Sequence, residues 1–336
     1  MKPTIRDVAR LAKVSITTVS RVMNNPELVA PDKRESVLTA IEKLKYQPNA
    51  LARGLIHKRT QTLGVLIPDI SNVFMAELIR GMEDAARENL FNLIICNTDI
   101  DKERMISYLQ VLNEKQVDGI VFVSEPVYPD YYEVFKRYDI PLVLAATHSL
   151  EYEIPSVMIN NEQAGYDAVE YLIRQGHEKI GIISGSSIEP ISSIPRTQGF
   201  MRGLRSYGLK ADFEKCVEYG GYLFQDGYEA MSRLIKKFPD LTAVFAVADE
   251  MALGAISYLQ ENGIRVPDEI SVMGFDNTRL ATMTWPKLTT VAQPIYEMGY
   301  RALNKLIDLI EYGTVDELRT YLPHEIIERE SVRRRV

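Results

Sequence analysis

From residue 60 onward the chain repeats one pattern: a nearly continuous apolar run of five or six residues, then a longer segment whose apolar residues recur with helical period. The runs are LGVLIP (63–68), NLIICN (92–97), GIVFV (119–123), PLVLAA (141–146), SVMIN (156–160), KIGIIS (179–184), AVFAVA (243–248) and SVMGFD (271–276). A strand with one face in water alternates apolar and polar residues, so unbroken runs demand cover on both faces, which the helical segments supply. The pattern predicts an α/β body of parallel, doubly wound sheets. So long a body exceeds one comfortable sheet, and IPSVMINNEQAG offers a crossover near residue 160. The expected division is a body over 61–336, with lobe 1 at about 61–160 and 290–320 and lobe 2 at about 161–289 and 321–336.

The first sixty residues differ in charge and in period. Residues 1–59 hold 12 Lys and Arg against 5 Asp and Glu, while the remainder holds 27 against 41, so a basic segment precedes an acidic body. Ile5, Val8, Ala9 and Ala12 line one face of a first helix, and Val19, Val22 and Met23 one face of a second. Lys13-Val14-Ser15 separates them, with Ser15 as N-cap and Val14 under the turn, the spacing of a helix-turn-helix. A third helix begins at Pro31 and turns Val37, Leu38, Ile41 and Leu44 inward. Residues 1–47 thus form a small domain, and 48–60 a hinge helix and linker.

The outer face of the second helix carries Ile16, Thr17, Thr18, Ser20, Arg21 and Asn24, short groups that let the backbone approach the major groove of double-stranded DNA. Arg21 has the fork that pairs guanine O6 and N7, while Ile16 and Thr17 suit base edges and thymine methyls. Thr4, Thr18 and Asn24 suit phosphate contacts. In PNALARGLIHKRT, Leu55 has the size of a minor-groove wedge on a helix too short to stand alone. The alternatives are a three-helix bundle for protein contacts and an ordinary linker.

In a doubly wound fold a ligand sits outside the carboxyl ends of the strands, here between the lobes. Asp69, Asp99, Asp249 and Asp276 lie at such ends. The first three are equally placed to contact a ligand or to cap the following helix. SGSSIEP (184–190) is a weak candidate phosphate loop.

The strings TIRDVARLAKVSITTVSRVMNN and YQPNALARGL resemble the DNA-binding domain and hinge of the lactose/galactose repressor (LacI/GalR) family, and the likeness continues through the body. The resemblance implies a homodimeric repressor whose two readers occupy a pseudo-palindromic operator, under control of a small effector in the cleft. It places Ile16, Thr17 and Arg21 on bases and Leu55 in the minor groove. Asp276 and Arg196 match the family's effector-contacting acid and arginine, Tyr222 its stacking aromatic, and Phe74 and Met75 its first-lobe cleft positions. With Asp69 and Asp249 these suit a sugar, a sugar phosphate or a nucleobase. Ala248-Asp249 departs from sugar-binding members, which often carry an amide before that Asp. PDISNVFMAEL, KQVDGIVF, DEMALG and MGFDNTRLATM are closest to the branch whose corepressor is serine-phosphorylated HPr. Tyr296 matches that docking surface, but Asn304 and Asp308 stand where basic residues are expected, which favours a small effector.

No enzyme, metal or cofactor is expected: His57, His148, His177 and His324 form no spaced set with Cys or acids, and GxxxxGK[ST], GxGxxG after a strand and GxSxG are missing. Cys96 and Cys216, far apart in apolar runs, and an N-terminus unlike a secretory leader predict two buried thiols in the cytoplasm. His177 is expected as a cation at a helix end. SVRRRV is expected as a solvated tail, and Leu78, Ile79 and Met82 either as a dimer face or as cover for their own sheet.

Overall fold

The computed structural model describes residues 3–46, 59–210 and 212–335, and separates into two compact units, Met1–Thr60 and Gln61–Val336. In the first unit, α1 (Ile5–Leu11), α2 (Ile16–Asn24) and α3 (Pro31–Leu44) enclose Val8, Ala9, Ala12, Val19, Val22, Val37 and Ala40. Lys13 takes a left-handed φ of 54° in the turn, and Ser15 Oγ accepts the Thr18 amide at 3.1 Å to start α2. Leu38, expected inside, is 53% exposed; Ala40 takes the inward place, on one helix face with Val37, Ile41 and Leu44, while Leu38 lies at the edge of that face.

The second unit runs, in chain order, β1 (Thr62–Ile67), α4 (Val73–Glu88), β2 (Asn92–Asn97), α5 (Lys102–Glu114), β3 (Gly119–Val123), α6 (Pro129–Tyr138), β4 (Leu142–Ala145) and β5 (Ser156–Ile159). It continues with α7 (Asn161–Arg174), β6 (Ile180–Ser184), α8 (Ser193–Ser206), α9 (Phe213–Cys216), β7 (Val217–Tyr219), α10 (Phe224–Lys237), β8 (Ala243–Ala246), α11 (Asp249–Glu261) and β9 (Ser271–Asp276). Last come α12 (Leu280–Met283), β10 (Thr289–Ala292), α13 (Ile295–Tyr312), β11 (Arg319–Leu322) and β12 (Glu325–Ile327). All eight apolar runs form strands. Two six-stranded sheets result, ordered β11-β5-β4-β3-β1-β2 and β12-β10-β9-β8-β6-β7, parallel except where β12 pairs antiparallel with β10. The chain crosses between them after β5, after β10 and again between Leu322 and Glu325. β10, which the sequence placed largely in lobe 1, is therefore a strand of the second sheet.

The unbroken apolar runs have the cause expected for covered strands. In β1, β3 and β4, Leu63, Val65, Ile67, Val121, Val123, Val143 and Ala145 face the core shared with α4 and α13; Leu66, Ile120, Phe122, Leu142 and Leu144 face α5 and α6. Leu78 and Met82, fully buried, belong to the first of these layers, so they cover their own sheet and are not free to form a dimer face.

Two polar expectations are corrected. His177 is 2% exposed, bonded through its ring nitrogens to Thr242 Oγ1 at 3.2 Å and the Arg333 carbonyl at 3.1 Å, and burial pushes its pKa down to about 4, so it is neutral rather than a helix-end cation. SVRRRV is not a solvated tail: Ser331 is fully buried and donates to the Val272 carbonyl at 2.6 Å, while Arg333 pairs with Asp268 and the Arg335 amide reaches the Gln175 carbonyl at 2.7 Å. Cys96 and Cys216 are buried free thiols. No described helix is long and apolar enough to cross a membrane.

Candidate functional site

In both sheets the strand order reverses direction next to the first strand, β1 in one and β6 in the other, leaving a crevice at their carboxyl ends. A cavity of about 420 Å³ lies between the two sets of strand ends. Asp69, Phe74 and Met75 reach it from the first lobe, and Arg196, Tyr222 and Asp276 from the second; Asp99, Asn161, Glu189, Gln293 and Met298 also line it.

Arg196 is fixed before any ligand arrives. α7 and α8 cross at Gly165 and Gly199, where an added Cβ would stand 2.3 Å from the Arg196 carbonyl and 1.9 Å from the Glu162 carbonyl. That close approach lets Asn161 Oδ1 accept Arg196 Nε at 2.9 Å; Nη1 donates to the Val247 carbonyl at 2.7 Å, and the guanidinium lies 3.7 Å over the Phe275 ring. The charge is 6% exposed and held on one side by fixed acceptors, so little reorganisation is needed for it to meet a ligand oxygen.

Asp276 ends β9 with φ at 113°, followed by Asn277 at 58°, both in the left-handed region where side chains are strained. Its Oδ1 accepts Gln293 Nε2 at 2.7 Å, and burial pushes its carboxyl well above the ordinary range against the pull of Arg196. Asp249 explains how the strained loop is held. It is 1% exposed, does not line the cavity, and accepts from the Thr278 amide at 2.7 Å, Thr278 Oγ1 at 3.1 Å and Thr290 Oγ1 at 2.6 Å. The sequence offered contact or capping for Asp249; the structure shows a brace for the loop, with Ala248 as the N-cap of α11.

Asp69 accepts from the Ser71 amide at 2.9 Å and hydroxyl at 2.7 Å while Asn72 caps α4. Asp99 pairs with Arg104, and Asp101 caps α5. Tyr222, at φ 78°, donates or accepts with Ser192 Oγ at 2.6 Å and Ser193 Oγ at 2.5 Å, and burial beside Glu189 raises its pKa to about 12, which keeps it protonated. Glu189 was not anticipated, nor were Asn161 and Gln293. Glu189 lies in SGSSIEP, and its carboxylate accepts the amides of Ile191, Ser192 and Ser193 at 2.5, 3.0 and 2.8 Å. The carboxylate thus comes from SGSSIEP, but the amides that hold it belong to the three residues that follow the loop.

In the first unit, Ile16, Thr17 and Arg21 stand together exposed on α2. Thr4 and Ser15 are engaged in starting α1 and α2: the Thr4 amide and hydroxyl donate to Asp7 Oδ2 at 2.9 and 2.7 Å, and Ser15 Oγ lies 2.9 Å from Thr18 Oγ1. The Asn24 side chain and Leu55 lie outside the described residues.

Comparison with known proteins separates the chain at the same place. The family model for bacterial regulatory proteins of the lacI family matches residues 4–49, and that for periplasmic binding proteins and the sugar binding domain of the LacI family matches 60–330. The chain is 45% identical to catabolite control protein A of Priestia megaterium, over 99% of this chain and 100% of that one. It is 40% identical to the HTH-type transcriptional regulator RegA of Clostridium acetobutylicum, over 98% and 99%. Among solved structures, the complex of the transcriptional regulator CelR with cellobiose matches with 30% identity and a TM-score of 0.76, over 98% of this chain and 99% of that one.

Proposed function

The chain belongs to the LacI family of bacterial regulatory proteins and is a DNA-binding transcriptional regulator, and we propose that a small sugar-type ligand in the interlobe cleft controls its hold on an operator. The observation that carries this reading is the preset pair Arg196 and Asp276, a cation held by Asn161 and Val247 and an acid held in a strained turn, facing one cavity. Such strain persists only where surrounding structure enforces it, and it concentrates at ligand clamps. CelR, similar over nearly the whole chain, was solved with cellobiose, which supports a sugar-type ligand.

A ligand touching strand ends of both lobes favours one interlobe angle, and a homodimer converts that angle into a spacing between two readers on a pseudo-palindromic site. Ile16, Thr17 and Arg21 read bases, and repression is the outcome of occupancy. A phosphorylated HPr docked on α13 is less well supported: Arg80 and Arg87 on the adjoining α4 are paired with Asp84, and Tyr296 and Tyr300 donate to Asp84 and Glu88. A phosphoserine would have to strip those cations from their own carboxylate.

The test is operator selection from a randomised duplex pool, followed by fluorescence anisotropy against sugars and against phosphorylated HPr. A sugar that shifts operator affinity in the wild type, and not in Asp276→Ala, supports the cleft. A shift produced only by the phosphoprotein replaces it with the docking reading.

A further inference from the structure

The carboxylate of Glu189 is held at the cleft by a ring of backbone amides and hydroxyls. Oε1 accepts the Ile191 amide at 2.5 Å, and Oε2 accepts the Ser193 amide at 2.8 Å, the Ser192 amide at 3.0 Å, Ser192 Oγ at 2.7 Å and the Tyr222 hydroxyl at 3.1 Å. These amides head α8, whose dipole presents positive charge at that end. Amides of this kind, with hydroxyls beside them, are the equipment by which proteins bind phosphate esters. Burial opposes ionisation of Glu189, but the bonds from Ser192 and from the amides of Ser193, Ile191 and Ser192 together outweigh it, so the group is an anion at neutral pH.

Asp69 and Glu189 line the cleft together with Asp99, whose charge is paired with Arg104, and Asp276, whose carboxyl is held by burial well above the ordinary range; the Arg196 guanidinium sits on α8 in the field of Glu189 and Asp276. An incoming phosphate would find the amides of Ile191, Ser192 and Ser193 occupied and would lie beside the Glu189 carboxylate, which repels it. An uncharged polyol meets only acceptors and a fork of donors.

We propose that Glu189 is a specificity-determining residue, an internal stand-in for a ligand's anionic group that restricts the cleft to uncharged hydroxyl-rich ligands and shuts out their phosphate esters. This rests on the cleft being the effector site, but its test does not need the effector. Inorganic phosphate is titrated into the full-length wild type, Glu189→Ala and Glu189→Gln at matched ionic strength, with thermal melting and calorimetry as readouts. Emptying the cradle in Glu189→Ala creates phosphate binding at least about tenfold tighter than in the wild type, seen as a phosphate-dependent rise in Tm. Glu189→Gln, which keeps the shape and removes the charge, gives a smaller gain. In the wild type, glucose 6-phosphate binds at least about tenfold more weakly than the best neutral sugar of the same panel. A folded Glu189→Ala without phosphate gain overturns the proposal. So does a wild type that takes inorganic phosphate or the phosphate ester as well as it takes the sugar, a result that stands even if Glu189→Ala fails to fold. If no sugar of any kind alters operator binding while the phosphate gain appears, the effector reading fails, while Glu189 stands as the group that fills an anion cradle of amides at the start of α8.

Discussion

Asp249→Ala separates a brace from a ligand contact. Removing the carboxylate leaves the Thr278 amide, a rigid donor at 2.7 Å, with no acceptor, and frees the hydroxyls of Thr278 and Thr290, which can turn to seek others. A buried orphaned donor costs about 1–3 kcal/mol, so with one obligatory orphan and two partial ones the loss of stability is about 3–5 kcal/mol. Asp249→Asn keeps one oxygen for the amide and costs about 1–2 kcal/mol. The functional effect travels two residues along the chain. Asp276 and Asn277, at φ 113° and 58°, lose the anchor at Thr278 that opposes their relaxation. If the turn stores about 1–3 kcal/mol, the population holding Asp276 toward Arg196 falls about 5- to 150-fold, and ligand affinity with it. Urea unfolding gives the stability, and calorimetry with the sugar found active on the operator gives the affinity. Loss of affinity with unchanged stability in Asp249→Asn would refute the brace and restore a direct contact; unchanged affinity with reduced stability would show that the turn holds without it.

Arg21→Ala lowers operator affinity by about 1–3 kcal/mol and relaxes preference at one base pair, whereas Ser15→Ala, which removes the cap of α2, weakens all sequences alike by about 1 kcal/mol; competition against single-base operator variants distinguishes them. Gly199→Ala forces a Cβ to within 1.9 Å of the Glu162 carbonyl, so α7 and α8 part, stability falls by about 1–3 kcal/mol and ligand affinity drops as the Asn161 bond to Arg196 is lost, while ligand-free operator binding is retained. His177, with its folded pKa down at about 4 from an ordinary 6.5, makes no demand above pH 6.5; as pH falls below that value the unfolded chain takes up a proton the folded one refuses, and stability drops by about 2 kcal/mol between pH 7.5 and 5. Asp249 and Asp276, raised by burial, act in the opposite sense over acidic pH, so the measure is the difference in urea midpoint between wild type and His177→Gln, which narrows as pH is lowered.

What could be read in the sequence follows from how locally each feature is determined. The buried strands carry their signal in their own composition, since a strand covered on both faces is apolar throughout. β11 and β12 lie at sheet edges and read RTYL and EII, half exposed, and β10 reads TTVA, with Thr289 and Thr290 buried as hydrogen-bond partners of Arg329 and Asp249. Polar residues in a central strand have no local signature, because their partners are tens of residues away. The site divides likewise. Arg196 and Tyr222 were found by likeness to known regulators, and the strand-end rule found Asp69, Asp99 and Asp276. The rule also placed Asp249 beyond a strand end, but could not say that its carboxylate turns away to Thr278 and Thr290. Asn161, Glu189 and Gln293 had no signal beyond being polar. Their roles exist only once Arg196 is brought from 35 residues away to Asn161 and Asp276 from 17 residues away to Gln293. Glu189 shows the limit most plainly. Gly185, Ser186 and Ser187 suggested a loop open to phosphate, and the acid in the same seven-letter string was legible as an acid but not as the one that folds forward onto the amides at the start of α8.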